Sequence, residues 1–492
     1  MWREEGFSQR PLSNPSLLDF GAEIVTIASF IFSTTHKMSM PGKVERITWS
    51  KDTPLWPILE NRVSPVVIEG AVGSHLPWTS LRWTQRAEGG TDGLENFISD
   101  NGNRCAEVRF CKRPSGRSPT PWEGQCEVLK EVPMAHFGAW LLGAIELLPP
   151  DDALRRFLPL DEWSGYCAYQ HFEDFFPEAY SEGESSEELE EEGCERCDVR
   201  QRQSNTDDNK DKDNNDNRPQ LCLDFSDILS TEVPAPGGPT LWLGSRGART
   251  PCHQDAYGVN LVAQLAGQKR WVFFPPADAP HLGLSRLPFE DASTFTALDP
   301  LAEPLPASSQ PLEVVLGPLE LLFVPRHWIH AVESVSSWTL SINQWFSHPL
   351  DPRERVNEAA TRLIASPLLE KLPPQCLWWL NPNEELFDLN RNIDNLWESL
   401  LECNKVPSGA TKERIQAAFI HAATHPEVTR SIVERMLKCL EEDPARGTLR
   451  HHQQHQQQDP PLRSRSRSRA RSPRKSAETE SQPGPGRETI AA

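Results

Sequence analysis

Cysteine is scarce in this chain, with 11 among 492 residues. So low a density excludes a disulfide-built scaffold, and the odd number is typical of reduced thiols in an intracellular protein. Cys194 and Cys197 form a C-x-x-C pair with no second pair nearby. A structural zinc site normally needs four closely spaced ligands. We therefore expect free thiols throughout.

Long hydrophobic runs are also missing. The most apolar N-terminal stretch, "IVTIASFIFS" at 24–33, is too short, because a membrane-spanning helix needs about 20 apolar residues. Acidic rather than basic residues precede it, which does not predict a signal peptide. We interpret residues 1–42 as an N-terminal extension and expect a cytoplasmic or nuclear protein.

The chain also has no excess of positive charge, since its formal net charge is −20. This charge argues against a globular domain that binds nucleic acid. The charge is uneven: residues 181–217 hold 14 acidic and 5 basic side chains, whereas "RSRSRSRARSPRK" at 463–475 has no acid. We predict a disordered acidic insert at 181–220 and a disordered Gln/His- and Arg/Ser-rich tail at 446–492. The composition of this tail suits contact with RNA or with an acidic protein, or a nuclear address.

Short β-type runs dominate residues 240–346. They are "TLWLGS", "NLVAQLAG", "KRWVFFPP", "ELLFVPRHW" and "WTLSINQWF". Gly and Pro separate them, a pattern typical of an all-β barrel or jelly roll. Upstream, "SPVVIEGAV" and "CAEVRFCK" also predict strands, and "AHFGAWLLGAIELL" predicts a helix or a helix followed by a strand. Beyond residue 350 the spacing becomes helical. We therefore predict a mainly β domain at 43–350, interrupted by the insert, and a helical C-terminal region at 351–445.

A candidate metal site lies in "TPCHQDAYG" at 250–258, where His253 and Asp255 stand two residues apart. In a β-strand, residues i and i+2 point to the same face, so both side chains can converge on one ion. "LFVPRHWIHAVES" offers His327 or His330 as a third ligand. Two histidines and one carboxylate with open positions form the facial triad typical of non-haem Fe(II) oxygenases.

"TPCHQDAYGVNLVAQLAGQKRWVFFPP", followed by "LFVPRHWIHAVES" and "SINQW", resembles the JmjC family of Fe(II)- and 2-oxoglutarate-dependent oxygenases. The likeness is strong over about 240–346 and weaker upstream. Within the family it is closest to the small hydroxylases typified by the asparaginyl hydroxylase of hypoxia-inducible factor, and to the JmjC group that associates with a small heat-shock protein. It implies a mainly β, cupin-type double-stranded β-helix (jelly roll) with surrounding helices.

The resemblance also implies roles for individual residues. His253, Asp255 and His330 would be the iron ligands, since His330 ends the P-x-x-W-x-H pattern in "PRHWIH". The other matched positions would bind the co-substrate 2-oxoglutarate: Lys269, Thr250 and Tyr169 at its distal carboxylate, and Asn260, Asn343 and Trp345 as lining of its pocket.

The activity implied is that of an Fe(II)- and 2-oxoglutarate-dependent dioxygenase that consumes dioxygen and hydroxylates a protein side chain. Two alternatives stay open: an N-methyl-lysine (histone) demethylase, and a catalytically weak scaffold that binds a small heat-shock protein. A nucleic-acid substrate is a further possibility in this family. A homodimer through the C-terminal helices is a further expectation, because related hydroxylases have similar helices.

Overall fold

The structure is a computed structural model. It describes residues 41–50, 53–72, 83–84, 90–113, 126–171, 237–373, 379–381 and 386–442, with Phe225, Leu229, Val233, Ala235, Cys376 and Glu384. The acidic insert at 181–220, the Cys194 and Cys197 pair, the tail at 446–492 and almost all of the extension at 1–42 lie outside the described residues.

Two mixed β-sheets form the centre of the fold. Sheet A has six strands in the order β1-β12-β10-β14-β8-β11. Their bounds are β1 Gly42–Lys43, β8 Arg249–Asp255, β10 Lys269–Phe274, β11 Ser293–Phe295, β12 Leu312–Leu316 and β14 Ile329–Ser334.

Sheet B has nine strands in the order β2-β3-β13-β9-β15-β7-β6-β4-β5. Their bounds are β2 Glu45–Thr48, β3 Val66–Glu69, β4 Cys105–Lys112, β5 Cys126–Pro133, β6 Trp163–His171, β7 Thr240–Ser245, β9 Val259–Ala266, β13 Leu321–Val324 and β15 Trp338–Phe346.

Successive strands of the 240–346 region alternate between the two sheets, as β8 (sheet A), β9 (B) and β10 (A) do. A tight turn at Gly267, with φ of +64°, connects β9 to β10; a Cβ there would lie 2.1 Å from the Trp338 carbonyl oxygen. Glycine is therefore required where the chain crosses between the sheets. The mainly β, cupin-type jelly roll expected from the sequence is confirmed.

Buried apolar side chains arrange the fold in layers. Trp271 and Val332 of sheet A pack with Val262 and Leu322 of sheet B, which shows that the two sheets face each other. A larger cluster covers the other face of sheet B and includes Trp140 and Phe157. A smaller one covers the outer face of sheet A.

The helices surround and follow the sheets. Their bounds are α1 Trp56–Leu59, α2 Asp92–Asn101, α3 Met134–Leu142, α4 Ala279–Leu282, α5 Asp351–Leu369, α6 Leu389–Glu402, α7 Lys412–Ala423 and α8 Pro426–Glu442. Short 3₁₀ helices span Ile145–Leu147, Ala153–Arg156 and Pro276–Asp278. The chain divides into two compact units, which meet in sequence between Gln416 and Ala417. Within the described residues, no helix combines the length and apolar character needed to cross a membrane.

Three local findings refine or correct the sequence interpretation. Cys111 and Cys126 form a disulfide across β4 and β5, so the expectation of free thiols throughout was wrong at this pair. The antiparallel register places these two residues directly opposite each other, a proximity that spacing alone did not reveal. The run "ELLFVPRHW" is not one strand: β13 ends before Pro325, and β14 begins at Ile329. "AHFGAWLLGAIELL" forms α3 and then a 3₁₀ turn, with no strand.

Candidate metal and co-substrate site

A cavity of about 340 Å³ opens between the two sheets. Sheet A contributes β8, β10 and β14 to its wall, and sheet B contributes β6, β7, β9 and β15. Three of the four tyrosines of the chain line it, together with Trp242, Trp271 and Trp345. Six tyrosine and tryptophan rings thus line the cavity, and polar side chains converge on two points of its wall.

The first point is a cluster of His253, Asp255 and His330. One ligand atom from each lies within 4.8 Å of the others, and this is the cluster with metal-ligating geometry that the described residues form. His253 and Asp255 follow the i, i+2 pattern of β8, and His330 is the direct register partner of His253 on β14. The pairing of two adjacent strands therefore places all three side chains on the inner face.

Both imidazoles are oriented by backbone carbonyls. Nδ1 of His253 lies 2.8 Å from the Pro251 oxygen, and Nδ1 of His330 lies 2.9 Å from the Trp328 oxygen. A carbonyl oxygen can only accept, so each Nδ1 carries a proton and Nε2 is the ring atom that can bind a metal ion. Metal-binding histidines are commonly oriented by contacts of this kind.

The charges of the cluster suit a divalent cation. Burial and the neighbouring His253 lower the pKa of His330 to about 4, so this ring is neutral. Burial works against ionisation of Asp255, but the hydrogen bond and charge of His253 prevail and lower its pKa to about 2. Burial lowers the pKa of His253, yet the hydrogen bond to Asp255 gives a net rise. Within the triad, the positive charge beside the Asp255 carboxylate comes from a proton on His253. A metal ion would replace that proton.

The second point of convergence is Lys269, at the start of β10. Its side chain is almost completely buried, and its ammonium donates to Oγ of Ser341 at 2.7 Å. Desolvation lowers the pKa of Lys269 to about 7. The residues that the structure describes provide no carboxylate partner for this ammonium, so an anion that enters the cavity can pair with it.

A tyrosine completes the lysine end, but it is Tyr166, which the sequence analysis missed. The phenol of Tyr166 hydrogen-bonds to Thr250, and the Lys269 ammonium lies 5.4 Å from its ring centroid. Tyr169 lines the same cavity, yet its hydroxyl donates to Glu290 at 2.9 Å. Lys269, Thr250 and Tyr166 therefore form one group, and Tyr169 belongs to another wall.

The irregularity of β6 explains why both tyrosines reach the cavity. Residues three apart in a regular strand point to opposite faces. The β6–β7 register shifts between Cys167 and Gln170, and Tyr169 has a φ of 55°. No sequence pattern announces this bulge.

The remaining lining residues expected from the sequence lie together on β9 and β15. Nδ2 of Asn343 donates to Asn260 at 2.9 Å, and Trp242 donates to Asn343 at 2.6 Å. The indole of Trp345 lies 3.5 Å from the second oxygen of Asp255. The Trp345 contact orients the carboxylate, and the Asn343 contacts join β15 to β9 and β7.

His327 is kept away from the cluster. It lies in the turn before β14 with a φ of 64°, and its Nε2 contacts the Ala256 carbonyl oxygen at 2.7 Å. This contact holds the β8–β9 turn, which is a structural role.

A wall that sequence reasoning did not find lies on the loop between α4 and β11. It contributes Glu290 and Asp291, and α5 contributes Arg355 beside Tyr257. None belongs to a recognisable motif. The pairing of β11 with β8, in which Ser293 is opposite Asp255, brings this loop to the cavity.

Comparison with known proteins agrees with this geometry. Residues 58–352 match the model of the cupin-like domain. The HSPB1-associated protein 1 of Homo sapiens is 43% identical over 170 residues, which cover 32% of this chain and 35% of that protein. The tRNA wybutosine-synthesizing protein 4 of Gibberella zeae is 31% identical over 122 residues, or 25% of this chain and 10% of that protein. The 2-oxoglutarate and iron-dependent oxygenase JMJD4 of Mus musculus is 33% identical over 106 residues, or 21% of this chain and 25% of that protein.

The match to the curated HSPB1-associated proteins spans about a third of their length. The cupin-like match, in contrast, covers more than half of this chain, and it contains every strand of both sheets except β1 and β2, together with every residue of the two convergence points. The chain belongs to the cupin-like JmjC domain family and is an oxygenase-like protein.

Proposed function

We propose that this protein is an Fe(II)- and 2-oxoglutarate-dependent dioxygenase that hydroxylates a protein side chain. The observation that carries the proposal is the pairing of two sites in one cavity. At one end of the cavity, two imidazoles that can be neutral converge with one carboxylate. At the other end lies a buried ammonium that has no carboxylate partner among the described residues. A 2-oxoglutarate dianion has a chelating end for the first and a free carboxylate for the second.

The donor set fits iron better than a structural zinc. Nitrogen and oxygen ligands occupy three positions, and neither thiolate nor a fourth side chain closes the site among the described residues. His253, Asp255 and His330 would hold the ion, which leaves positions for a bidentate co-substrate and for dioxygen. When bound, this iron centre would couple hydroxylation of a substrate C–H bond by one oxygen atom of O2 to the conversion of 2-oxoglutarate into succinate and carbon dioxide.

The protein's own part would be binding, orientation and exclusion of water. Lys269, Thr250 and Tyr166 would fix the far carboxylate, because a charged hydrogen bond is strong in a water-poor pocket. The carbonyls of Pro251 and Trp328 hold the imidazoles in the metal-binding tautomer. The aromatic walls keep the cavity poor in water.

A direct test is succinate formation by the purified full chain with Fe(II), 2-oxoglutarate and a panel of peptides. The matched pair of variants is His330→Ala and His327→Ala. These two histidines are three residues apart, one on β14 and the other in the turn before it. We expect the first variant to lose both metal binding and turnover, and the second to retain metal binding. Turnover that persists in His330→Ala would contradict the proposal.

Partner binding is a second candidate function, supported by the name of the relatives. The HSPB1-associated proteins are named for a protein partner, and we propose that this chain also binds a small heat-shock protein. The two functions separate experimentally. If the protein binds metal, 2-oxoglutarate and a small heat-shock protein but forms no succinate with any peptide of the panel, it is a scaffold. A methyl-lysine peptide that is demethylated, with no hydroxylated product from any other peptide, would favour the demethylase instead.

A further inference from the structure

Among the described residues, Glu290 is the carboxylate of the cavity wall that is neither a metal ligand nor part of an ion pair. We propose that Glu290 anchors a positively charged side chain, an arginine or a lysine, of the protein substrate. This inference rests on the proposed function and names the substrate class of the same site.

The charges of the described residues lead to this assignment. Asp291 is paired with Arg362 at 3.2 Å, and Arg355 with Glu402 at 3.2 Å. Glu290 forms no ion pair within the described part of the chain. Its carboxylate accepts from the Tyr169 hydroxyl at 2.9 Å, the Ser293 hydroxyl at 3.2 Å and the Asn381 amide. All three donors are neutral. A buried cation, Arg109, lies behind this group: it donates to the Asn381 side-chain oxygen at 3.2 Å and interacts with the charges of both Glu290 and Glu107, without an ion pair to Glu290.

The neutrality of Tyr169 is itself secured by its surroundings. Burial and the nearby Glu290 charge raise the pKa of this phenol well above its usual value. Tyr169 therefore stays a hydrogen-bond donor and keeps the Glu290 carboxylate oriented at any ordinary pH.

The charges of a loaded site would leave Glu290 without an ion-pair partner. A divalent ion and the Lys269 ammonium carry three positive charges, and Asp255 and a 2-oxoglutarate dianion carry three negative ones. These groups balance one another. Glu290 then remains a carboxylate without an ion-pair partner in the described part of the chain, and an entering cation can pair with it.

The loop that carries Glu290 is held from two sides. The Glu358 carboxylate of α5 accepts hydrogen bonds from both terminal nitrogens of Arg286 at 2.7 Å. It also accepts one from the backbone amide of Ala292 at 2.9 Å. Glu384 accepts the Asp291 amide at 3.0 Å. A carboxylate fixed in this way loses little conformational entropy when it binds, which is the basis of preorganised recognition.

The neighbouring walls favour a cation over a neutral amide. Tyr169 and Trp242 lie with ring centroids 4.7 Å apart, and Trp345 and Tyr257 line the same space. Aromatic faces attract guanidinium and ammonium groups. A carboxylate beside several aromatic rings is thus complementary to a basic side chain.

The test is a binding titration by calorimetry, with the full chain loaded with Mn(II), a redox-inert substitute for iron, and 2-oxoglutarate, and also without them. The probes are blocked arginine and lysine amides, with blocked citrulline amide as the neutral isostere of arginine. We expect wild type to bind at least one cationic probe at least tenfold more tightly than citrulline. Glu290→Gln should reduce this preference to below about twofold and leave citrulline and 2-oxoglutarate affinity unchanged.

Asp291→Asn is the matched control, because it removes a neighbouring negative charge that already forms an ion pair with Arg362, an arginine that Asp291 shares with Glu384. It should keep most of the preference. Equal binding of cationic and neutral probes by wild type, or a preference that survives Glu290→Gln, would overturn the inference. Failure of 2-oxoglutarate to bind would instead contradict the proposed function, and the titration of the unloaded protein would still measure the role of Glu290.

Discussion

Lys269 of sheet A donates a hydrogen bond of 2.7 Å to Ser341 of sheet B, so this polar contact joins the two sheets at the lysine end of the cavity. Because this lysine is desolvated and lacks a carboxylate partner among the described residues, its proton is weakly held. The affinity for a dianionic co-substrate should therefore depend on pH near neutrality.

The direction follows from the pKa of about 7 in the free protein. Below this pH, Lys269 is already an ammonium before 2-oxoglutarate binds, so the affinity for 2-oxoglutarate does not change with the protonation of Lys269. Above it a proton must be taken up on binding, so affinity falls about tenfold for each pH unit until the raised pKa of the bound state is reached. Calorimetry at several pH values, with Mn(II) kept saturating, measures this slope together with the proton uptake.

Lys269→Arg is the control for that slope. A guanidinium keeps its charge up to a pH of about 12, so any affinity that this variant retains should show no decline between pH 7 and 9. Lys269→Met should lose binding by more than about 100-fold at pH 6.5. If wild type showed no pH slope above 7, another group would hold the anion.

A second prediction separates the two tyrosines. Tyr166→Phe removes the phenol beside Thr250, and it should weaken 2-oxoglutarate binding by about 5–15-fold, the value of one hydrogen bond of about 1–1.5 kcal/mol. Tyr169→Phe should change that affinity less than twofold, because its hydroxyl bonds to Glu290. The opposite order of effects would return the role to Tyr169, as the sequence suggested.

These two residues also show how far sequence could lead. Alternation along β8 and the sequence resemblance were enough to single out His253, Asp255 and His330, since regular strands have a fixed two-residue period. Tyr166 was missed because the bulge in β6 breaks that period. Glu290 was missed because only the tertiary pairing of β11 with β8 brings its loop to the cavity. Among the helices, α1, α2 and α4 were not anticipated.

A third prediction concerns metal retention. Asp255→Asn keeps the shape of the side chain but removes the one carboxylate of the triad. We expect the affinity for Mn(II) to fall by at least about 100-fold, while the melting temperature measured without metal does not fall. Ion-specific fluorescence quenching and thermal denaturation provide the two measurements. A large loss of stability in the metal-free protein would mean that Asp255 is structural.

The last prediction concerns α8 and tests the expected homodimer. Ile432, Met436 and Leu440 are about half exposed and lie along one face at four-residue spacing, with Val433 and Leu437 beside them. Such a stripe is typical of a helix that packs against another surface. If a second copy provides that surface, light scattering at micromolar concentration should give the mass of a dimer.

The double variant Ile432→Glu with Met436→Glu should weaken this association by at least about 100-fold, or about 2.7 kcal/mol. Glu434→Lys, a charge change on the opposite face of the helix, should leave the dimer intact. Wild-type protein that stays monomeric at about 50 μM would refute the dimer and leave the stripe to a different partner. A dissociation constant of about 50 μM corresponds to an association free energy of about 6 kcal/mol.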